Sequence, residues 1–311
     1  MSTDAIAEQR AKYYNATVAR IIYGNPDLMR IQVRPDAPLR AHHPGQYTSL
    51  GLGNWEPRVE GCQPEPASAT ADLKLIRRAY SISCPILDDA GSLAPAAEQS
   101  GWLEFYIVLV RESNKETPPA LTPRLFALKE GDRLHMVEKI GGHFTLAPVK
   151  PGDNVLFLST GTGEAPHNYM LWDLLRRGHT GRILSACCVR FKRDLGYLAT
   201  HTELMRRHAN YIYLPLTTRE ADTVDQKVYI QDLITSGQMA ERLGAPLDPA
   251  KTHVYLCGNP KMIGVPEKDK ETGARTYPKT VGVVELLEKM GFAVDNPTAK
   301  VTGNIHFEEY W

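Results

Sequence analysis

Arg78-Ala79-Tyr80-Ser81 is the stretch best equipped for chemistry. It extends the strand-like run Leu73 to Ile76 and continues as Ile82-Ser83. Side chains alternate along a strand, so Arg78 and Tyr80 point the same way. That face offers a fixed cation beside a flat ring, with the Ser81 hydroxyl at its edge. A flavin dinucleotide asks for this trio: a cation for its pyrophosphate, a ring to stack on and a donor near the flavin nitrogens. Short motifs match often by chance. An ordinary half-buried strand with one exposed arginine explains these four residues as well, so the reading depends on what else the chain holds.

A second set of residues points to a nucleotide. The apolar run Val155 to Leu158 is followed by Ser159-Thr160-Gly161-Thr162-Gly163-Glu164-Ala165-Pro166. A helical pattern then runs from about Asn168 to Arg177 and stops at Gly178. A glycine turn between a strand and a helix start is where a dinucleotide pyrophosphate sits, although Pro166 takes the place of the usual third glycine. The next strand, Ile183 to Val189, ends at Arg190, with Lys192 and Arg193 beyond. A ribose with a free 2′-hydroxyl calls for an acidic residue there and a 2′-phosphate for arginine, so the reading is NADP over NAD. Tyr211 to Leu216 is a strand ending near Thr218-Arg219-Glu220. His253 to Leu256 is another, with Cys257-Gly258-Asn259-Pro260 at its carboxyl end, where ligands bind in parallel sheets. A lone cysteine is commonly core filler, but the position of Cys257 before Gly258 favours a role in the site. No group of His, Asp and Glu at ligand spacing accompanies His143, and no CxxC pair exists, so no metal site is expected.

The elements that must position these residues fall into two patterns. Ala16 to Tyr23, Leu28 to Val33, Gln46 to Leu52, the Arg78 strand, Trp102 to Val110 and Arg133 to Lys139 are strands separated by turns. They point to an antiparallel barrel or sandwich. Trp102 to Val110 is apolar enough to be buried on both faces. Thr122 suits a helix cap and Pro123 the first helical position, with free N–H groups for a phosphate. Asn54 to Ala71 has no periodicity and reads as a surface insertion; Asp88 to Gly101 is a polar connection and Pro266 to Pro278 a charged insertion. From Pro148 to Asp153 the chain reads as a hinge, after which strands alternate with helices, the sign of a parallel α/β sheet.

The whole chain agrees. Its 311 residues suit two domains. Lys plus Arg and Asp plus Glu both number 36, which argues against a bulk nucleic-acid binder and leaves any charged partner to a local patch. The polar start, Met1 to Arg10, is not a signal peptide, and no apolar run approaches membrane-spanning length. A reducing cytoplasm is the expected compartment for its five cysteines. Tyr310 and Trp311 would fray unless docked on something flat.

Taken in order, these stretches resemble the bacterial ferredoxin(flavodoxin)–NADP reductases. Arg78 to Ser81 resembles that family's flavin motif, Phe105 to Val108 the strand that follows, and Leu121 to Leu125 its phosphate-contacting helix start. Thr160 to Pro166, Arg190, Arg219 and Cys257 to Pro260 resemble its NADP segments, and Glu308 to Trp311 its aromatic tail. The fold implied is an antiparallel β-barrel FAD-binding domain, 1–149, followed by a Rossmann-like α/β NADP-binding domain, 150–311, whose tail returns to the FAD. The resemblance implies FAD contacts from Arg78, Ala79, Tyr80, Ser81, Tyr106, Ile107, Val108, Leu121, Thr122, Tyr310 and Trp311. It implies NADP(H) contacts from Thr160, Gly161, Thr162, Gly163, Arg190, Thr218, Arg219, Lys227, Gly258, Asn259 and Pro260. Ser81, Cys257 and Glu308 would stand at the reacting centre. The implied activity is hydride transfer from NADPH to flavin, followed by single-electron release to ferredoxin or flavodoxin, which a monomer would dock transiently through charge. Other readings are a reductase feeding an oxygenase, and a flavoprotein redox sensor that binds NADP without turnover. Three departures stand out, the first being the insertions 54–71, 88–101 and 266–278, which lengthen the chain. Glu164 is acidic where a small or apolar residue is usual, which opposes a pyrophosphate. Lys227 stands where an arginine is usual, giving a point charge instead of a fork.

Overall fold

The computed structural model describes residues 3–70, 72–113, 117–269, 271–296 and 302–310. They fall into two units, Met1–Gly142 and His143–Trp311.

In the first unit, β-branched and aromatic runs broken by turns form six antiparallel strands: β1 (Ala16–Asn25), β2 (Leu28–Pro35), β3 (Tyr47–Gly53), β4 (Leu75–Ser81), β5 (Leu103–Val108) and β6 (Arg133–Met136). Their order is β4-β3-β6-β1-β2-β5. Just past β4, the Ser83 N–H donates to the Glu104 carbonyl of β5 at 2.8 Å, joining the two ends of the sheet into a barrel. Met29, Ile31, Val33, Leu50, Leu52, Phe105, Leu134 and Met136 fill the interior. Of the 102–110 run, residues 103–107 are buried as expected, but Val108 and Val110 are exposed on either side of the buried Leu109, so burial on both faces gives way to alternation at the end of the run. Three helices flank the barrel: α1 (Thr3–Tyr13), α2 (Ala97–Ser100) and α3 (Thr122–Leu125).

The Asn54–Ala71 stretch is no loose surface insertion. Asn54 is buried; its amide nitrogen donates to the carbonyls of Ala69 and Asp72, and its amide oxygen accepts from the Lys74 N–H. Glu65 reaches Arg124 on α3 through two hydrogen bonds of 2.8 and 2.6 Å. Periodicity could not reveal this, because the loop is held by side chains and not by a backbone ladder.

In the second unit, strands and helices alternate: β7 (Asn154–Thr160), α4 (Glu164–Arg176), β8 (Ile183–Val189), α5 (Leu198–Arg207), β9 (Tyr211–Thr217), α6 (Ile230–Thr235), α7 (Gln238–Leu243), β10 (Thr252–Gly258) and α8 (Pro260–Ile263). A small hairpin, β11 (Glu267–Lys268) and β12 (Arg275–Thr276), precedes α9 (Val283–Lys289) and β13 (Ile305–Glu309). The five parallel strands run in the order β13-β10-β7-β8-β9. Leu156, Leu158, Leu184, Leu256, Val254 and Ile305 pack one face against α6, α7 and α9. Two elements differ from the sequence reading. Helix α4 begins at Glu164, directly after the glycines, with Pro166 in its first turn, where a missing N–H costs nothing. The stretch 143–149 belongs with the second unit: Phe144 is buried there, its ring 5.4 Å from Tyr255 and 5.9 Å from His167.

Candidate functional site

In the barrel, β4 changes character along its length. Arg78 and Ala79 are exposed, Tyr80 is half-buried and Ser81 is buried. The Arg78 guanidinium donates to the Arg77 carbonyl at 2.8 Å and forms no ion pair among the described residues. Burial pushes the Tyr80 phenol upward, the nearby Arg78 charge opposing it, so the ring is a neutral surface. An open cation beside such a ring fits a flavin dinucleotide's phosphate and ring. On β5, Tyr106 and Ile107 are buried and Val108 alone of the three presents its side chain to solvent. At α3, Leu121 is the capping position and Thr122 the first helical residue, so Pro123 stands second. Thr122 does not cap the helix: its hydroxyl accepts from the Val110 N–H at 3.1 Å. Arg124, whose role went unseen in the sequence, is 2% exposed and binds Glu65, Ala120 O and Asn54 O, which locks the short helix to the loop.

In the second unit, β7 is the first strand laid down. Strands β8 and β9 lie to one side of it and β10 and β13 to the other, so the order reverses at its carboxyl end. Such a reversal opens the crevice that binds nucleotides in doubly wound sheets. Thr160, Gly161, Thr162 and Gly163 occupy it. A Cβ on Gly163 would meet the Cys257 carbonyl oxygen at 2.2 Å, and one on Gly258 the Thr160 hydroxyl oxygen at 2.3 Å, so only glycine lets the two segments approach. The Thr160 hydroxyl accepts from the Asn259 N–H at 2.8 Å, and Asn259 in turn caps α8 through the Lys261 N–H, with Pro260 at the start of the helix. Gly161, by contrast, has open space about it and a φ of 53°. The turn is therefore glycine-clamped on one side and open on the other, which fits a pyrophosphate.

Arg190 and Arg219 lie at the ends of the neighbouring strands β8 and β9, both exposed. The Arg219 N–H donates to the Arg190 carbonyl at 2.8 Å, and the Thr218 hydroxyl to the Val189 carbonyl at 3.2 Å, so the two arginines are brought side by side. Lys227 is exposed in the turn before α6. Cys257 is fully buried, and burial pushes its thiol well above the ordinary range, with Glu308 adding to the effect and Tyr310 opposing it. It is a neutral wall, not a thiolate. Glu308 is its direct neighbour across the β10–β13 pairing. Beyond the strand, the Tyr310 N–H donates to the Gly258 carbonyl at 2.9 Å. The segment that leads into the aromatic tail is thus tied down as a parallel strand; Trp311 lies outside the described residues.

Glu164 does not enter the turn. It is 2% exposed, and its Oε1 accepts from the Tyr213 hydroxyl at 2.8 Å. The charge that seemed to oppose a pyrophosphate is turned into the interior. Among the described residues no cluster of His, Cys, Asp and Glu could hold a metal ion, and no helix is long and apolar enough to cross a membrane.

Comparison with known proteins bears on both units. Residues 157–268 match the oxidoreductase NAD-binding domain family. The flavodoxin/ferredoxin–NADP reductase of Escherichia coli (strain K12) is 29% identical over 229 residues, 73% of this chain and 78% of that protein. The ferredoxin–NADP reductase of Pseudomonas aeruginosa is 27% identical over 259 residues, 80% and 86% of the two chains. Over most of its length the chain is similar to the ferredoxin(flavodoxin)–NADP reductases. The fold agrees: the crystal structure of a ferredoxin NADP+ reductase from Neisseria gonorrhoeae, with bound FAD and NADP, matches at a TM-score of 0.68. The match has 20% identity and covers 96% of this chain and 99% of that one. The residues that sequence reasoning missed are Glu65 and Arg124 in the first unit and His201, Tyr211 and Tyr213 in the second. The only signal was the Tyr-x-Tyr alternation of 211 and 213, which marks one face of a strand.

Proposed function

We propose that this chain is an FAD-dependent reductase that carries electrons between NADPH and ferredoxin or flavodoxin. The observation that carries the reading is the pair Arg190 and Arg219, joined by a backbone hydrogen bond at the ends of adjacent strands beside a glycine-clamped turn at the sheet's reversal point. Two guanidiniums on one side of an adenosine site supply forked donors for a 2′-phosphate. The chemistry FAD supplies when bound is two-electron acceptance from NADPH and release of single electrons.

Around that chemistry each residue has a modest task. Arg78 holds the FAD pyrophosphate, Tyr80 stacks on the isoalloxazine, and Ser81 donates near its reactive nitrogen. The backbones of Tyr106 to Val108, Leu121 and Thr122 border the same ligand. Gly161 to Gly163 receive the coenzyme pyrophosphate, and Lys227 assists the two arginines. Cys257 and Glu308 border the nicotinamide, with Glu308 as the polar group and Cys257 as an uncharged surface. The partner docks transiently through charge, the working form is a monomer, and the compartment is a reducing cytoplasm, in keeping with five cysteines outside any disulfide.

The test pairs two measurements. The purified protein should show oxidised-flavin absorbance, and NADPH should support reduction of ferredoxin or flavodoxin at a kcat/KM at least tenfold above NADH. Colourless protein that takes up no FAD would sink the reading. Equal use of both coenzymes would remove Arg190 and Arg219 from it.

A further inference from the structure

Beneath the glycine turn lies a buried polar cluster that neither cofactor would touch. Glu164 is the first residue of α4, one position after Gly163. Its carboxylate is met from three other elements. From β9, the Tyr213 hydroxyl donates to Oε1 at 2.8 Å. From α5, His201 Nε2 lies 3.2 Å from the same oxygen, at ion-pair distance without the alignment of a hydrogen bond. The His201 ring is wholly buried and stacked on Tyr213, with centroids 4.1 Å apart, and its Nδ1 is 2.8 Å from the Tyr211 hydroxyl. The Cys187 thiol of β8 lies against the same carboxylate, and its sulfur is 3.8 Å from the Gly161 carbonyl oxygen.

A buried carboxylate is costly unless it is paired and hydrogen-bonded. A chain that needed only a helix start here would do better with a small apolar residue. The Glu164 contacts all act on the first turn of α4, while on the other side Gly163 lies so near the Cys257 carbonyl that a Cβ would not fit. The turn between them is held from both ends. We propose that Glu164, braced by His201 and Tyr213, is a positioning residue that sets the Gly161–Gly163 turn for the coenzyme's pyrophosphate. The inference rests on the NADP(H) reading above. It adds a reason for the acidic residue just after the turn: its carboxylate faces the imidazole and the phenol, so it orients the backbone donors without confronting the phosphates. A small misplacement of such donors is enough to cost most of their benefit.

The test is calorimetric binding of two probes to the FAD-loaded full chain, NADP+ and adenosine 2′-monophosphate. Both carry the 2′-phosphate, but only NADP+ carries a pyrophosphate. Glu164→Leu is expected to weaken NADP+ about tenfold while leaving the 2′-monophosphate within twofold. Glu164→Gln, whose amide oxygen can still accept from Tyr213, should stay within about threefold of wild type for both probes. His201→Phe keeps the stack on Tyr213 and removes the imidazole; it should weaken NADP+ several-fold and spare the 2′-monophosphate, and it decides the matter if Glu164→Leu does not fold. Unchanged NADP+ binding in Glu164→Leu and His201→Phe, or an equal loss of both probes, would overturn the positioning role. Wild-type protein that binds neither probe would instead overturn the coenzyme reading itself.

Discussion

Arg78 and Arg190 are both exposed guanidiniums, yet the proposed function gives them different phosphates. Arg78 stands beside Tyr80 on the barrel. Replacing it with alanine removes a charge-assisted contact to FAD, a loss of about 1.5–3 kcal/mol. Arg78→Ala is therefore expected to release FAD roughly ten- to a hundredfold more readily, read by fluorescence of the freed flavin. An unchanged FAD dissociation constant would take Arg78 out of the site. Arg190 is tied through its carbonyl to Arg219. Arg190→Leu leaves that backbone bond intact and deletes one fork. The KM for NADPH should rise about tenfold or more, with kcat and the use of NADH almost untouched. If both coenzymes suffer alike, Arg190 is holding structure and not a 2′-phosphate.

At the scale of elements, the short helix α3 depends on the loop over it. Helices of four residues are not stable alone. This one is fastened by Arg124, whose guanidinium is buried against Glu65 and two carbonyls. Removing one partner of such a pair strands a buried charge. Glu65→Ala should cost about 3–5 kcal/mol of stability, measured by denaturant unfolding of the barrel's signal. The double variant Glu65→Leu with Arg124→Met should cost less than the single, because no charge is left behind. A double variant worse than the single would mean that the two backbone bonds of Arg124, and not the ion pair, hold the loop. The hairpin β11–β12 is a milder case of the same design. Arg275 and Tyr277 both reach Glu288 on α9, so a charged connection becomes an anchored one.

Across the whole second unit, one row of side chains spans the sheet: Tyr213, Ser185, Phe157, Tyr255 and His306 are partners in consecutive strand pairings. His167 of α4 stacks on Phe157 at 5.1 Å, and His306 stacks on Tyr255 at 4.5 Å. Burial pushes the His167 imidazole down to about 3 and also lowers His306, for which Asp295 partly compensates and His253 adds to the fall. Both are thus neutral in the fold, whereas in the unfolded chain they protonate near pH 6.5. Between those values the unfolded state binds more protons. Stability is full above about pH 6.5 and is lost as pH falls towards the folded value. His167→Phe should keep the stack and remove a loss of up to roughly 4–5 kcal/mol over that window. The check is the unfolding free energy at pH 7.5 and pH 4.5: wild type should lose markedly more than the variant. Equal losses would show that carboxylates, not His167, set the acid limit.

How much of this was legible beforehand follows the range of the interactions. The alternation of Arg78 and Tyr80, the turn at Thr160 to Gly163, and the strands ending at Arg190 and Arg219 are local patterns, set by side-chain period and turn chemistry within a few residues. They were enough to give a barrel followed by a parallel sheet and to name a dinucleotide site. The tertiary structure alone decided where Glu164 points, because Tyr213 and His201 come to it from 49 residues away on β9 and from the separate helix α5. It alone turned 305–309 into a strand. Ile305 and Phe307 alternate with His306 and Glu308, but two apolar positions are too few to mark a strand, and only the open edge of β10 supplies its hydrogen bonds. It alone showed that 54–71 is a clamp, since Glu65 and Arg124 meet across 59 residues of chain. Pairing partners at such separations leave no periodic trace in a single sequence; they exist only once the sheet has brought them together.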